Sequence, residues 1–280
     1  MTTTNREGKM IYYTTIDMNK NDAPWITMVH GQTQNHKYFS SQVAEFQNRF
    51  RILLVDIRGH GQSTSLTGPF GIEEYSDDVH EVFNELGINE THYWGTHTGS
   101  AIGLVLALRY PERISSLILE GAFLPRFSMP RTAALLERAK MLSKKEGVEI
   151  AVEDWFNNSD FFSYINANAI RCRAEEHRAM VSEFNGSPWL CSLIPQEVNP
   201  VVDKLHLIHQ PVFVYNGEFD LEEFKMAALK LESDLSTVKR THITEAGGFP
   251  GWESPKQVNS LVHSFLEHYF GHAHKVINGS

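Results

Sequence analysis

The segment Gly95-Thr96-His97-Thr98-Gly99 constrains the fold of this chain more than any other feature of its sequence. A short predicted strand, 91–94, precedes it, and a run of helical character, 101–110, follows it. A strand that passes into a helix through so few residues must turn sharply, and small residues on both sides of the exposed position make such a turn possible. The segment lacks the Gly-x-Gly-x-x-Gly pattern of a dinucleotide-binding turn. We therefore predict a strand–turn–helix unit that presents His97 at its tip.

Short apolar runs alternate with longer stretches of helical periodicity along most of the chain. The runs 25–29, 51–56 and 114–119 have the length and composition of strands that are buried on both faces. Residues 73–86 instead carry their apolar side chains at helical spacing. Strands that alternate with helices predict a doubly wound α/β fold with a mostly parallel sheet, for which we expect eight strands.

One long stretch, residues 124–205, breaks this alternation. It contains helical patterns, and no run in it has the character of a strand. A helical insertion between two strands is expected to cover the carboxyl ends of the sheet, where open α/β sheets bind their ligands. We therefore predict a core made of residues 1–123 and 206–280, and a helical lid subdomain made of residues 124–205.

Three further motifs follow predicted strands in a characteristic order. They are His30-Gly31, Asp56-Ile57-Arg58-Gly59-His60-Gly61-Gln62-Ser63 and Gly217-Glu218-Phe219-Asp220. Together with the turn at His97, these motifs resemble the α/β-hydrolase superfamily over almost the whole chain. The resemblance implies an α/β-hydrolase fold in which the turn at His97 is the nucleophile elbow. It also implies that the loop after His30 forms part of an oxyanion hole and that Asp220 is the catalytic acid.

The resemblance fails at two catalytic positions. The nucleophile position of the elbow holds His97. The late loop of the family typically reads Ala-Gly-His-x-x-x-x-Glu-x-Pro, with the histidine as catalytic base, and the corresponding loop here begins Ala246-Gly247-Gly248. Gly248 therefore stands where the base is expected. A Ser-His-Asp mechanism, in which a histidine takes the proton of a serine, cannot operate with these residues.

His97 leaves three interpretations open, because a neutral imidazole can act as a base, a nucleophile or a hydrogen-bonding group near neutral pH. In the first, a carboxylate orients His97 for acid/base chemistry on a small, largely apolar organic molecule, in a hydrolysis or in a cofactor-free elimination or oxygenation. In the second, His97 attacks the substrate itself and forms an acyl-imidazole. In the third, the site is catalytically inactive and the pocket only binds a small ligand.

Two carboxylates are candidates to orient His97. Asp220 has lost its usual partner, and Gly248 is expected to leave an empty volume into which His97 could lean. Glu120 ends the strand beside that of the elbow, and adjacent strands lie about 4.8 Å apart, within reach of a side chain. We therefore hypothesise that His97 pairs with Asp220 or with Glu120.

The loop after His30 and the start of the helix after the elbow supply further candidate groups. The main-chain amides of Gln32 and Thr98 are expected to form the oxyanion hole. His36 lies in the same loop as Gln32, near the expected mouth of the pocket, and could supply the missing base, cap the following helix or face solvent. This loop also has a faint resemblance to that of cofactor-free ring-cleaving dioxygenases of the same fold. Those enzymes rely on the late-loop histidine that Gly248 replaces here.

Four aromatic residues are candidates to bind the substrate. Trp155, Phe156 and Trp189 belong to the predicted lid, and Phe249 belongs to the late loop. Each could line an apolar pocket, and each could equally belong to the packed interior. The sequence contains no cofactor-binding motif, and we expect the protein to use no cofactor.

Composition excludes several classes of function. The formal net charge of −9 argues against binding to nucleic acid or to an anionic membrane surface. No segment approaches the roughly 20 apolar residues of a membrane-spanning helix, and the first residues do not resemble a signal peptide. His268, His272 and His274 have the spacing of metal ligands but no acidic partner, so we expect a frayed end and no metal. We expect a cytoplasmic monomer or homodimer with a small-molecule ligand or substrate.

Overall fold

The structure, a computed structural model, describes residues 2–6, 9–17, 22–64 and 67–271. Its strands are β1 (Thr2–Arg6), β2 (Lys9–Ile16), β3 (Trp25–Val29), β4 (Arg51–Val55), β5 (Thr91–Thr96), β6 (Ile114–Glu120), β7 (Val212–Gly217) and β8 (Val238–Ile243). They form one sheet in the order β1-β2-β4-β3-β5-β6-β7-β8.

The strands from β4 to β8 in this order all pair in parallel. At the other end of the sheet, β2 runs antiparallel to both of its neighbours, β1 and β4. The mostly parallel sheet predicted from the sequence is therefore confirmed. Successive side chains of a strand point to opposite faces, so Ile52 and Leu54 of β4 belong to one hydrophobic cluster and Leu53 and Val55 to another. This requirement for apolar residues on both faces explains the unbroken apolar run in β4.

Helices precede, separate and follow these strands. They are α1 (Ser40–Phe46), α2 (Ile72–Leu86), α3 (Thr98–Arg109), α4 (Pro130–Glu146), α5 (Val148–Asn158), α6 (Ser163–Ala167), α7 (Ala174–Ser182), α8 (Ser187–Leu190), α9 (Val201–Lys204), α10 (Glu222–Asp234), α11 (Pro250–Glu253) and α12 (Pro255–Phe270). Helices α1 and α12 contribute to the cluster that contains Ile52. Helices α2 and α3 contribute to the cluster on the opposite face of the sheet.

Residues 121–211, between β6 and β7, form a helical insertion that includes α4 to α9 and no strand. Within it, α4 packs against α5 and α8, and α5 packs against α7. In the part of the chain that the structure describes, no helix is long and apolar enough to cross a membrane. The same residues contain no group of side chains that could hold a metal ion. His272 and His274, which the sequence placed at a frayed end, lie outside the described ranges.

The carboxyl ends of five parallel strands meet at one edge of the sheet. The loops that leave β3, β5, β6, β7 and β8 there carry Gln32, His97, Gly121, Asp220 and Gly248 respectively. Because these loops are neighbours in the sheet order, residues distant in sequence come together at this edge.

Candidate active site

His97 occupies the sharp turn between β5 and α3. Its backbone has φ 45° and ψ −106°, a conformation that costs a residue other than glycine roughly 1–3 kcal/mol. Two hydrogen bonds hold the turn. The amide of His97 donates to the carbonyl oxygen of Glu120 at 2.9 Å, and Oγ of Ser100 donates to the carbonyl oxygen of His97 at 2.5 Å. The strained turn therefore keeps the His97 side chain at the tip of the elbow.

Gly95 and Gly99 make this turn possible. A Cβ atom at Gly99 would collide with the carbonyl oxygen of Val29 in β3, and one at Gly95 would collide with the backbone of Gly99. The start of α3 thus approaches β3 and β5 more closely than any side chain would allow. The small residues that the sequence places on both sides of His97 are required by this close approach.

A cavity of about 430 Å³ lies between the elbow and the helical insertion. Gln32, His97 and Thr98 line it from the core of the protein. The side of the insertion contributes mainly aromatic and apolar side chains, including Phe123, Leu136, Trp155, Phe161, Phe162, Trp189 and Leu193. A cavity of this volume and lining is typical of a site for a small, largely apolar organic molecule.

Phenyl rings surround the imidazole of His97. The ring centroids of Phe224 and Phe249 lie 5.0 and 4.9 Å from that of His97, and the centroid of Phe161 lies 6.0 Å away. Both ring nitrogens are buried, and neither has a hydrogen-bond partner among the described residues. Burial lowers the pKa of His97 to about 3, so the imidazole is neutral at physiological pH.

Asp220 does not pair with His97. Its Oδ2 accepts a hydrogen bond from Nδ2 of Asn216 at 2.7 Å, and its Oδ1 accepts one from the amide of Leu221 at 2.8 Å. Burial raises the pKa of Asp220 to about 7. The carboxyl group therefore bonds to its own turn, and the predicted contact between His97 and Asp220 is wrong.

The volume beside Gly248 is not empty. A Cβ atom at Gly248 would stand 3.7 Å from Oδ1 of Asp220, so position 248 lies next to Asp220. The same Cβ atom would stand 3.0 Å from the carbonyl oxygen of Phe161, in the helical insertion. The main chain of Phe161 therefore closes the space into which His97 was expected to lean.

The side chain of Glu120 is buried outside the cavity lining and forms hydrogen bonds with groups other than His97. Its Oε1 accepts a short hydrogen bond from the hydroxyl of Tyr38, and its Oε2 accepts one from the amide of Gly251 at 2.6 Å. Burial raises the pKa of Glu120 to about 7. The carboxyl group ties two loops together and does not line the cavity, so the predicted pairing of His97 with the Glu120 side chain is also wrong.

His36 faces away from the cavity. Its amide donates to Oδ1 of Asp56 at 2.7 Å, and its Nδ1 lies 3.0 Å from each carboxylate oxygen of Asp56. His36 begins a short 3-10 helix, His36–Phe39, and pins it to the end of β4. The prediction that His36 could supply the missing base is therefore wrong, because its ring is engaged with a carboxylate outside the pocket.

The loop after β3 and the start of α3 bring two main-chain amides beside His97. Gln32 and Thr98 both line the cavity together with the imidazole. In the described chain, no acceptor takes a hydrogen bond from either amide. That these two N–H groups form an oxyanion hole remains a prediction.

Three of the four aromatic candidates line the cavity, namely Trp155, Trp189 and Phe249. Phe156 does not, and this part of the prediction is wrong. Successive residues of a helix point about 100° apart, so Trp155 of α5 faces the cavity while Phe156 packs inside the insertion, 4.8 Å from the ring of Phe162.

Sequence reasoning missed the contact between Gln34 and His177. The amide nitrogen Nε2 of Gln34 lies 3.2 Å from Nε2 of His177 in α7, and Oε1 of Gln34 accepts from the amide of Gly31 at 3.2 Å. Burial lowers the pKa of His177 to about 3, so the neutral ring can accept a hydrogen bond from Nε2 of Gln34. Gln34 thereby connects the loop that carries Gln32 to the insertion. No motif marked either residue.

Comparison with known proteins defines the class of this chain. A family model described as "alpha/beta hydrolase fold" matches residues 24–255, and the chain belongs to this family. It is 30% identical over 261 residues to 3-oxoadipate enol-lactonase 2 of Acinetobacter baylyi, covering 89% of this chain and 90% of that protein.

Solved structures show the same fold. The enol-lactonase from Burkholderia xenovorans LB400 superimposes with a TM-score of 0.80 at 20% identity, covering 95% of this chain and 99% of that one. A thermophilic esterase from Thermogutta terrifontis superimposes with a TM-score of 0.78 at 22% identity, covering 95% of this chain and 97% of the other. At these identities the two structures establish the architecture alone.

Proposed function

We propose that this protein binds a small, largely apolar organic molecule in the cavity beside His97 and does not use the serine-hydrolase mechanism. The helical insertion, residues 124–205, acts as a lid subdomain over the core formed by residues 1–123 and 206–280. The cavity volume of about 430 Å³ and its aromatic lining support a ligand of this size and polarity. The similarity to an enol-lactonase supports a small molecule as the natural ligand.

The observation that carries this proposal is the environment of His97. Its ring nitrogens have no hydrogen-bond partner in the described part of the protein, and its neighbours are phenyl rings. A general base needs an orienting partner and a pKa near the working pH, and His97, with a pKa of about 3, has neither. The environment of His97 therefore supports binding rather than acid/base catalysis. The imidazole is a neutral polar group among apolar side chains.

A second candidate function is catalysis by His97 as an acid/base or as a nucleophile. The observation that favours it is the strained turn at His97, whose ring lines the cavity together with Gln32 and Thr98. A neutral imidazole is the nucleophilic form of histidine. A small movement of the ring would be enough to expose a nitrogen to a ligand carbonyl group.

One experiment separates the two candidates. A panel of aryl esters, lactones and carbamates, together with their hydrolysis products, is tested for binding by calorimetry and for turnover by product formation. We expect binding without turnover, weakened in His97→Ala and unchanged in Asp220→Asn and in the exposed control His242→Ala. Turnover that His97→Ala abolishes would favour catalysis, and failure of every compound to bind would overturn the proposal.

A further inference from the structure

The charged residues that line the cavity lie together on one helix. Glu137, Lys140 and Lys144 are spaced three and four residues apart in α4, so they share one side of it. Nζ of Lys140 pairs with Oε1 of Glu137 at 2.8 Å. Lys144 has no ion pair in the described chain. The rim of the cavity therefore carries one positive charge in excess, in a protein whose formal net charge is −9.

A buried donor lies close to this rim. Trp189 is 2% exposed and lines the cavity, and its Nε1–H has no hydrogen-bond partner among the residues described. Helix α8, which carries Trp189, packs directly against α4. An indole N–H can only donate, and leaving it without an acceptor costs roughly 1–3 kcal/mol. Nε1 has almost no accessible surface, so the indole must turn before its N–H can donate to a ligand at the rim. The α4–α8 side of the cavity therefore combines an excess of positive charge with a donor that such a turn makes available.

The inner part of the cavity, around His97, favours uncharged groups. Its polar groups, the imidazole of His97 and the amides of Gln32 and Thr98, are uncharged, and their neighbours are phenyl rings. A charged group placed there would lose its hydration without gaining an ionic partner. A neutral carbonyl oxygen meets the amides without this cost.

We propose that the ligand is an organic monoanion, a carboxylic acid whose carboxylate lies at the rim with Lys140, Lys144 and Trp189 while its neutral, apolar end reaches His97. This inference rests on the proposed function of the cavity and names the class of molecule that it takes. The single negative charge of a carboxylate balances the single excess positive charge at the rim. Lys144 lies in the last turn of α4, where the helix dipole is negative. The dipole opposes any anion bound there, and it opposes a dianion such as a phosphate monoester more strongly than a carboxylate.

The test uses two probes of the same shape, 2-naphthoate, which is an anion, and 2-naphthamide, which is neutral. Their dissociation constants are measured by calorimetry on the full chain. We expect the carboxylate to bind about five- to tenfold more tightly than the amide, the gain that two partly exposed lysines supply. Raising the salt concentration should weaken the carboxylate alone, because the rim charges are screened.

Substitutions test whether the preference for the carboxylate probe comes from the rim. Lys140→Gln combined with Lys144→Gln should abolish the preference for the carboxylate and leave the amide unchanged. Lys145→Gln, on the same helix but outside the cavity lining, should retain it. Trp189→Phe should weaken both probes, because its N–H can donate to either oxygen.

The outcomes distinguish this inference from the proposed function. Equal affinity for the two probes in the natural protein, or a preference that survives the double substitution, overturns the anion-binding rim and leaves the binding cavity intact. Failure of both probes to bind overturns the rim and the proposed function together.

Discussion

Gly121 lies directly beside the imidazole of His97: a Cβ atom at Gly121 would stand 2.6 Å from Nε2 of the ring. Gly121 also has a φ of +51°, a region that side chains other than glycine rarely adopt. Histidine is larger than the residues that usually occupy a nucleophile elbow. The glycine that follows β6 is therefore part of what allows an imidazole to fit there.

Gly121→Ala is expected to destabilise the protein by roughly 1–3 kcal/mol through backbone strain, with a further cost for displacing the His97 ring. Gly87→Ala is the matched control, because Gly87 has a φ of +62° and no atom within 4 Å of its Cβ position. Urea unfolding should show the larger loss at Gly121. Adding His97→Ala should remove the difference. Equal losses at the two glycines would contradict the contact.

The stability of the protein should depend on pH through His97. The folded pKa of about 3 lies below the ordinary value of 6.5 because the ring is buried. Between these two values the unfolded chain binds a proton that the folded protein does not. The contribution of His97 to the free energy of unfolding is therefore present above about pH 6.5 and falls by up to about 1.4 kcal/mol per pH unit below it.

His97→Gln should remove this contribution, so lowering the pH below about 6.5 should reduce the stability of the natural protein relative to that of the variant. Other buried groups also titrate, so only the difference between the pH profiles of the two proteins reports on His97. Burial raises the pKa values of Glu120 and Asp220 to about 7 and that of Glu253 to about 8. Their contributions are lost as pH rises and oppose that of His97. Parallel pH profiles for the two proteins would show that His97 is not neutral in the folded state.

The sequence predicted the sheet well wherever a strand depends on its own apolar residues. The run 25–29 is β3, and the run 51–56 contains β4, Arg51–Val55. The elbow strand was expected to end at residue 94 and instead continues to Thr96, because Thr96 pairs with Glu120 in β6. That extension depends on a partner strand, and no local pattern encodes it.

In the candidate site, too, the sequence predicted some residues and could not predict others. Gln32, His97 and Thr98 meet because each follows the end of a strand, which sequence motifs mark. The partners of Glu120 were not foreseeable, since its hydrogen bonds to Tyr38 and Gly251 span 82 and 131 residues. The phenyl rings around His97 depend on how the insertion packs, and helical periodicity does not determine that packing.

Asp220→Asn should have little effect on stability in acid and should stabilise the protein in base. The raised pKa of about 7 means that the folded state favours the protonated carboxyl, so stability is lost as the pH rises from about 4 through about 7. Asparagine stays neutral. If the amide of Asn216 turns over, its Oδ1, which has no partner in the described chain, can accept a hydrogen bond from the new NH2 group.

The expected advantage of Asp220→Asn at alkaline pH is roughly 2–4 kcal/mol, measured by urea unfolding across the pH range. Asp203→Asn, at an exposed position in α9, should show no such dependence on pH. A variant that is destabilised at high pH would indicate that Asp220 is ionised and has a cationic partner in the folded protein.

Placing serine at position 97 and histidine at position 248, where the sequence comparison predicts a nucleophile and a base, should not produce a serine hydrolase. In His97→Ser/Gly248→His, the new histidine would lie next to Asp220, but its Cβ would stand only 3.0 Å from the carbonyl oxygen of Phe161. The insertion must move before the imidazole can fit, so we expect a loss of stability and no esterase activity on p-nitrophenyl acetate. Gly248→Ala introduces the same contact without the ring and should account for part of the destabilisation. Efficient hydrolysis by the double variant would show that the insertion yields easily and that Asp220 still serves as a catalytic acid.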